Sequence, residues 1–305
     1  MLAQDVKPDV QDNSNNKEKR LKVFLEKIDE LPVLPPLAIQ ILEQTKNPEV
    51  SIDDLIDLIM MDQVLTAKMV RIVNSVYFGL GRKVESLREA LVYLGIKEVK
   101  NVVLTTTLMN TCSDHKMSKW LMSFWQYSFA TAVVSKLLAK SLKYRDRERA
   151  YLAGLLHDIG EIILIYNFPE QFALVVDHVL ENNCNFEQAE NEVLSISHTE
   201  FGPWLLEQWN YFGEIAHVVS RHHKPDTAIY ERILVAIVHL AGIYCQNNDL
   251  GIIITDEKTD LETAYAWEII KSELSPNQPF DNSIHLNMLD ENLNDIKEVV
   301  YNIMT

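Results

Sequence analysis

The sequence is poor in cysteine, and the three cysteines it has are far apart. Cys112, Cys184 and Cys245 form no C-x-x-C pair in a chain of 305 residues. This spacing argues against both a disulfide framework and a zinc knuckle. We therefore expect a protein of a reducing compartment, the cytoplasm.

Positive charge is also in short supply. The chain has 28 Lys and Arg against 44 Asp and Glu, which gives a net charge of -16. A protein that neutralises phosphates along a nucleic acid needs the opposite balance. The composition therefore predicts that nucleic acid is not a partner.

Long apolar runs are missing as well. The first twenty residues, MLAQDVKPDVQDNSNNKEKR, contain no apolar segment of the kind found in signal peptides, and no later run reaches the length of a membrane span. We predict that the protein does not associate with membranes and that nothing directs it out of the cytoplasm.

Strand patterns are almost absent, and helical periodicity dominates. Apolar residues recur at intervals of three and four along most of the chain, and residues 251–255 are the only strand candidate. Residues 1–20 are polar and aperiodic, which predicts a disordered tail. The predicted fold class is all-α, with many helices.

One apolar stretch, residues 151–164, contains two adjacent polar side chains. It reads YLAGLLHDIGEIIL, so that His157 and Asp158 lie in the middle of a predicted helical run. Burying such a pair is costly unless something satisfies it. Because an imidazole nitrogen and a carboxylate oxygen can bind one cation, the pair is a candidate half of a metal site.

Further histidines fall on the inner faces of later predicted helices. His198 begins one apolar stripe, and His222 ends another and is followed by His223. Histidine and carboxylate ligands suit Fe, Mn, Zn or Ni. The alternative is that backbone carbonyls satisfy these histidines and no metal binds. A purely structural role is predicted for the other histidines, which are His115, His178, His217, His239 and His285.

Several phrases together resemble the HDOD family. They are LPVLPPLAIQIL, VRIVNSVYFG, EALVYLGIKEVKNVVL, LLHDIGEIIL, HTEFGPWLLEQWN and HHKP, and they run from about residue 24 to residue 225. HDOD proteins form a branch of the HD superfamily of metal-dependent phosphohydrolases, related to the HD-GYP phosphodiesterases of cyclic di-GMP. The resemblance implies an all-helical, cytoplasmic bacterial signalling protein of a family that is often regulatory and usually lacks demonstrated enzymatic activity.

The resemblance also implies that two metal ligands of catalytic HD proteins are lost. His157 and Asp158 match the HD pair, and His198 with His222 or His223 matches the intervening histidines. The first histidine of the family pattern falls on Tyr127, and its late aspartate falls on Gly242. Both positions lie on predicted inner faces. The HD-GYP phosphodiesterases have a G-Y-P segment after the paired histidines, where this chain reads KPDTAIYER.

These observations predict an HDOD domain over residues 21–247, divided into an N-terminal helical subdomain, 21–110, and an HD-like helical subdomain, 111–247. Residues 248–305 would form an appended acidic helical region.

The expected function is signal transduction through contacts with other signalling proteins, without catalysis and without a cofactor. One alternative is a phosphohydrolase with one divalent transition metal ion at a vestigial site, formed among His157, Asp158, His198, His222 and His223. Another is a sensor that binds a nucleotide without cleaving it. Whether the protein forms a homo-oligomer is left open.

Overall fold

The computed structural model describes residues 10–28, 36–74, 83–110, 118–209, 213–253, 258–276 and 279–304. Over these ranges the chain forms helices and connecting turns and no strand, which confirms the all-α prediction. In the strand candidate, residues 251–253 form bends, and residues 254 and 255 lie outside the described ranges.

Within the described residues, the first half of the chain contributes six α-helices. Their bounds are α1 Val10–Leu25, α2 Pro36–Gln44, α3 Ile52–Ile59, α4 Gln63–Val73, α5 Leu87–Asn110 and α6 Ser118–Ser141. Ten further α-helices and a short 3-10 helix, Pro225–Thr227, follow. These α-helices are α7 Arg147–Leu156, α8 Glu161–Asn167, α9 Pro169–Asn182, α10 Phe186–Leu194, α11 His198–Gln208, α12 Gly213–Arg221, α13 Arg232–Asn247, α14 Ala266–Leu274, α15 Asn282–Glu291 and α16 Leu293–Met304.

Helix α5 joins the N-terminal helices to the later ones. It is kinked at Gly95, which has a φ of 72°, a conformation that glycine adopts without strain. Beyond the kink its second half packs on α6 and α7. The carboxylate of Glu98 pairs with the Lys136 ammonium at 2.6 Å, and the hydroxyls of Thr105 and Tyr151 lie 2.8 Å apart. The first contact fixes α6 against α5, and the second fixes α7 against it.

His157 and Asp158 lie in a turn between α7 and α8, which corrects the prediction that they occupy the middle of one helix. His157 ends α7, and the amide of Glu161 donates to the Asp158 carbonyl at 2.8 Å to start α8. Two residues after Asp158, at Gly160, the start of α8 approaches α11 very closely. A Cβ at this position would lie 2.7 Å from the Gly202 backbone nitrogen.

The prediction of a disordered tail over residues 1–20 is wrong from Val10 onward, where α1 begins; residues 1–9 lie outside the described ranges. The ammonium of Lys17 pairs with Glu200 at 2.6 Å. The Phe24 ring meets Phe168 and Phe201 edge to face, with centroids 4.9 and 5.5 Å apart. Tertiary contacts of this kind can hold a helix whose own composition is too polar to predict one.

The C-terminal helices fold back onto the HD-like helices. The Tyr244 hydroxyl on α13 donates to Asp290 on α15 at 2.9 Å, and Ser141 Oγ on α6 lies 2.6 Å from His285 Nδ1. Helix α16 contacts both α6 and α4. Residues 258–276 and 279–304 therefore pack against both predicted subdomains.

Candidate metal centre

The predicted ligands come from three separate segments. His157 and Asp158 occupy the turn after α7, His198 is the first residue of α11, and His222 and His223 directly follow α12. The start of α11 is fixed locally, because the Glu200 carboxylate accepts from the Ser197 amide at 2.8 Å and from its hydroxyl at 2.7 Å. This cap fixes the backbone at the first turn of α11, where His198 is the first residue.

Four of the five predicted ligands converge on one point. Asp158 Oδ1 lies 3.0 Å from His222 Nε2 and 3.3 Å from His198 Nε2. His223 Nε2 lies 3.0 Å from the same His198 nitrogen. One ligand atom from each of these four residues falls within 4.8 Å of the others. This is the spacing of donor atoms around a single ion.

The fifth predicted ligand, His157, lies to one side of the cluster. Its Nε2 is 3.2 Å from Asp158 Oδ2, the carboxylate oxygen that does not face the other histidines. Its ring meets Tyr127 edge to face, with centroids 5.2 Å apart. His157 therefore orients the aspartate and does not join the four-residue group.

Backbone hydrogen bonds fix which ring nitrogens carry protons. Nδ1 of His222 donates to the Val219 carbonyl at 2.9 Å, and Nδ1 of His157 donates to the Gly154 carbonyl at 2.8 Å. Because the pKa of His222 is lowered to about 4 by burial, its ring is neutral and its Nε2 is left with a lone pair. That lone pair lies 3.0 Å from Oδ1 of Asp158, which is itself an acceptor.

Lone pairs that face lone pairs need a cation between them. Among the described residues, His157 Nε2, His222 Nε2 and Asp158 Oδ1 are buried without a hydrogen-bond partner. Three imidazoles and one carboxylate form a donor set suited to a transition metal. The residues present therefore fit one divalent ion held by Asp158, His198, His222 and His223.

Charge at the cluster agrees with this assignment. Burial alone would raise the pKa of Asp158, but the imidazoles of His157 and His198 hold it well below its usual range. Burial lowers the pKa of His222 to about 4, and burial beside His222 lowers that of His223 well below its usual range. Burial alone would lower the pKa of His198, but the carboxylates of Glu190 and Asp158 raise it well above its usual range. The site thus offers an anionic carboxylate, two neutral imidazoles and one imidazole, His198, that gives up a proton when an ion binds.

Tyr127 and Gly242 face each other beside the cluster. Both are buried, as the sequence predicted. A Cβ on residue 242 would lie 3.0 Å from the Tyr127 hydroxyl, so the phenol occupies space next to the glycine backbone. Burial and the negative charge of Asp158 raise the pKa of Tyr127 well above its usual range, which keeps the phenol neutral. Neither residue supplies an anionic ligand.

Two buried glutamates beside the cluster were missed by the sequence reasoning. Glu190 on α10 accepts from His198 Nδ1 at 2.6 Å, and Glu161 Oε1 lies 3.5 Å from the same nitrogen. Glu161 carries a sequence signal, because it is a charged residue inside the apolar run after His157 and Asp158. Glu190 carries none, since it is one of several glutamates on an acidic helix.

The cluster is closed to solvent on nearly every side. The exposed fractions are 1% for His157, 5% for Asp158, 1% for His198 and 3% for His222, and only His223 is half-buried. A cavity of about 270 Å³ lies elsewhere, between the turn after α9 and the segment after α13, and Cys184 and Phe186 are among the residues that line it. Of the helices that the structure describes, none combines the length and the apolar character needed to cross a membrane.

A helical domain that gathers histidines around a His-Asp turn has the architecture expected of the HD type. The model of the HDOD domain matches residues 31–225, close to two thirds of the chain. The chain therefore belongs to the HDOD family, which confirms the resemblance found in the sequence.

Solved structures share this fold over nearly the whole chain. An HDOD domain protein of unknown function from Geobacter sulfurreducens is 27% identical, with a TM-score of 0.83 over 95% of this chain and 99% of that one. A Shewanella amazonensis protein described by name alone as a phosphohydrolase is 22% identical, with a TM-score of 0.70 over 92% and 97%.

A curated relative from Treponema pallidum, named only as an uncharacterized protein, is 24% identical over 222 residues. That match covers 72% of this chain and 42% of the relative, so the chain spans less than half the length of the curated protein it matches.

Proposed function

We propose that this HDOD protein is a signal-transduction module that acts through contact with other proteins, holds one divalent transition metal ion in its core and hydrolyses no phosphoester. The observation that carries the proposal is the closed cluster of Asp158, His198, His222 and His223 beside Tyr127 and Gly242. The cluster has enough donors for one ion. The two neighbouring positions, which carry ligands in catalytic HD proteins, carry none here.

A hydrolytic centre needs more than a bound ion. It must keep a coordination position open for a water molecule and give the substrate a path to it. A bound divalent ion supplies Lewis acidity, but the residues around it here are at most 5% exposed apart from His223. The residues therefore favour a structural ion that links the turn after α7 to the start of α11 and the end of α12.

Three observations support a protein partner in the cytoplasm. One similar solved structure, from Marinobacter aquaeolei, is named as a signal transduction protein. It is 21% identical, with a TM-score of 0.73 over 96% of this chain and 67% of that one. The net charge of -16 disfavours nucleic acid. Cys184 and Cys245 are free thiols, as suits a reducing compartment.

The test is a turnover screen on protein loaded in turn with Mn²⁺, Fe²⁺, Ni²⁺ and Zn²⁺. Bis(4-nitrophenyl) phosphate and cyclic dinucleotides serve as substrates, and the Asp158→Ala variant serves as the background. We expect one ion per chain in the wild type, a loss of that ion in the variant, and equal, background turnover in both. Metal-dependent turnover that Asp158→Ala abolishes would overturn the proposal.

The second candidate is a phosphohydrolase that uses Asp158, His198, His222 and His223. The half-buried ring of His223 favours it, because a ligand at the surface side of the cluster is where a substrate phosphate would enter. This candidate requires that Asp158→Ala abolish a measurable activity. It is refuted if the wild type, loaded with each of the four metals in turn, shows no activity.

A further inference from the structure

Two buried carboxylates stand behind His198, on the side away from Asp158. Glu161 on α8 and Glu190 on α10 are both fully buried. Both oxygens of Glu161 and Oε1 of Glu190 have no hydrogen-bond partner among the described residues. Burying two carboxylates is expensive, so a fold that retains them points to a use for their charge.

One oxygen of Glu190 holds His198 at two points. Glu190 Oε2 accepts from the ring Nδ1 at 2.6 Å and from the His198 backbone amide at 3.0 Å. One ring proton must therefore reside on Nδ1. The ring nitrogen open to a metal ion is then Nε2, which lies 3.3 Å from Asp158 Oδ1 and 3.0 Å from His223 Nε2.

We propose that Glu190 is a positioning residue that commits His198 to metal binding through Nε2, and that α10 thereby belongs to the metal centre. The inference rests on the single ion of the proposed function. A carboxylate that accepts the second ring proton fixes the tautomer and the ring orientation and makes the ligating nitrogen more basic. A second carboxyl group, that of Glu161, lies 3.5 Å from the same Nδ1.

A purely structural role for Glu190 makes a different prediction. If it only accepts the amide of His198 at the start of α11, a neutral acceptor of the same shape serves equally well. Glu190→Gln retains a carbonyl oxygen for both hydrogen bonds but removes the charge. The substitution therefore separates metal positioning from helix capping.

The experiment compares Glu190→Gln with Glu192→Gln, a matched control on the same helix. Glu192 is exposed and contacts His178 and Gln188 on the surface. Co²⁺ and Zn²⁺ affinities are measured by chelator competition, together with the visible absorption of bound Co²⁺ and the melting temperature of the metal-free protein.

We expect Glu190→Gln to bind both ions about 10- to 100-fold more weakly and to shift the Co²⁺ absorption. We expect its metal-free melting temperature to match that of Glu192→Gln. Wild-type affinity and an unshifted absorption in Glu190→Gln would overturn the positioning role while leaving the proposed function intact. A wild type that binds neither ion would overturn both.

A second measurement needs no variant and holds even if Glu190→Gln fails to fold. Long-range proton-nitrogen NMR of the Zn²⁺-loaded wild type reports which ring nitrogen of each histidine carries a proton. We expect His198 to be protonated at Nδ1 and ligated at Nε2. The opposite tautomer would overturn the proposal.

Discussion

Gly160→Ala tests the closest helix contact beneath the metal centre. The added Cβ would lie 2.7 Å from the Gly202 backbone nitrogen and 2.9 Å from the carbonyl carbon of His198, and it would overlap the His198 carbonyl oxygen. Ordinary contacts of this kind need about 3.5 Å or more. Since the obstructing atoms are backbone and the His198 carbonyl oxygen is the nearest of them, α8 and α11 must move apart by roughly 1 Å or more.

The expected cost follows from this displacement. Overpacking a core lowers the free energy of unfolding by about 1–3 kcal/mol. Because the backbone atoms at Gly160 cannot rotate away, we expect Gly160→Ala to lie at the upper end, about 3 kcal/mol. The same movement carries His198 away from Asp158, so the variant should also bind Zn²⁺ more weakly than the wild type.

Urea unfolding with matched metal titrations is the assay. Gly213→Ala is the control, because a Cβ at Gly213 meets nothing within 4 Å and alanine suits a helix better. We expect Gly160→Ala to lower the unfolding midpoint at an unchanged m-value and Gly213→Ala to leave it equal or raised. A Gly160→Ala protein as stable as Gly213→Ala would refute the close-approach argument.

Three further predictions concern other contacts. Gly242→Ala should lower the free energy of unfolding by about 1 kcal/mol in the wild type and by less in a Tyr127→Phe background, because the new Cβ lies 3.0 Å from the Tyr127 hydroxyl. A double-mutant cycle on urea unfolding measures the difference, and additive effects of the two substitutions would contradict it. Lys136→Met should cost about 3–5 kcal/mol by leaving Glu98 buried without its partner, whereas Lys136→Met combined with Glu98→Leu should recover most of that loss in the same assay. Phe24→Ala should speed proteolytic cleavage within α1 without changing the unfolding midpoint of the rest of the chain, since Phe24 packs α1 onto Phe168 and Phe201. An unchanged cleavage rate would contradict this packing of α1.

The ligand residues could be found from the sequence because burial makes polar residues conspicuous. His157, Asp158, His198 and His222 all interrupt apolar stripes, and all four are buried. The inward orientation of Tyr127 and Gly242 followed from the same helical periodicity. A pattern of this kind shows which residues face the core but not how far apart their atoms lie.

What the sequence could not supply depends on contacts between distant segments. The turn at His157 and Asp158 leads into a close approach of α8 to α11 at Gly160, which joins segments about 40 residues apart in the sequence. The separation of His157 from the other four ligands depends on which Asp158 oxygen each ring faces. Helix α1 depends on packing against α11, and Glu190 becomes significant only through its hydrogen bonds to His198.

The assignment of domains and the choice of partner remain predictions of a different kind. The described C-terminal helices touch both predicted subdomains, so the boundary at residue 247 is best tested by expressing residues 21–247 and measuring their unfolding. Self-association is tested by the sedimentation of the full chain. A protein partner would be sought among signalling proteins.

Anomalous X-ray scattering at the zinc edge, on crystals grown with Zn²⁺, locates a bound ion directly. We expect one peak per chain, bound by Asp158 Oδ1 and by Nε2 of His198, His222 and His223, and no peak beside Tyr127 and Gly242. No peak at the four-residue cluster, or a second ion on the Tyr127 side, would contradict this prediction.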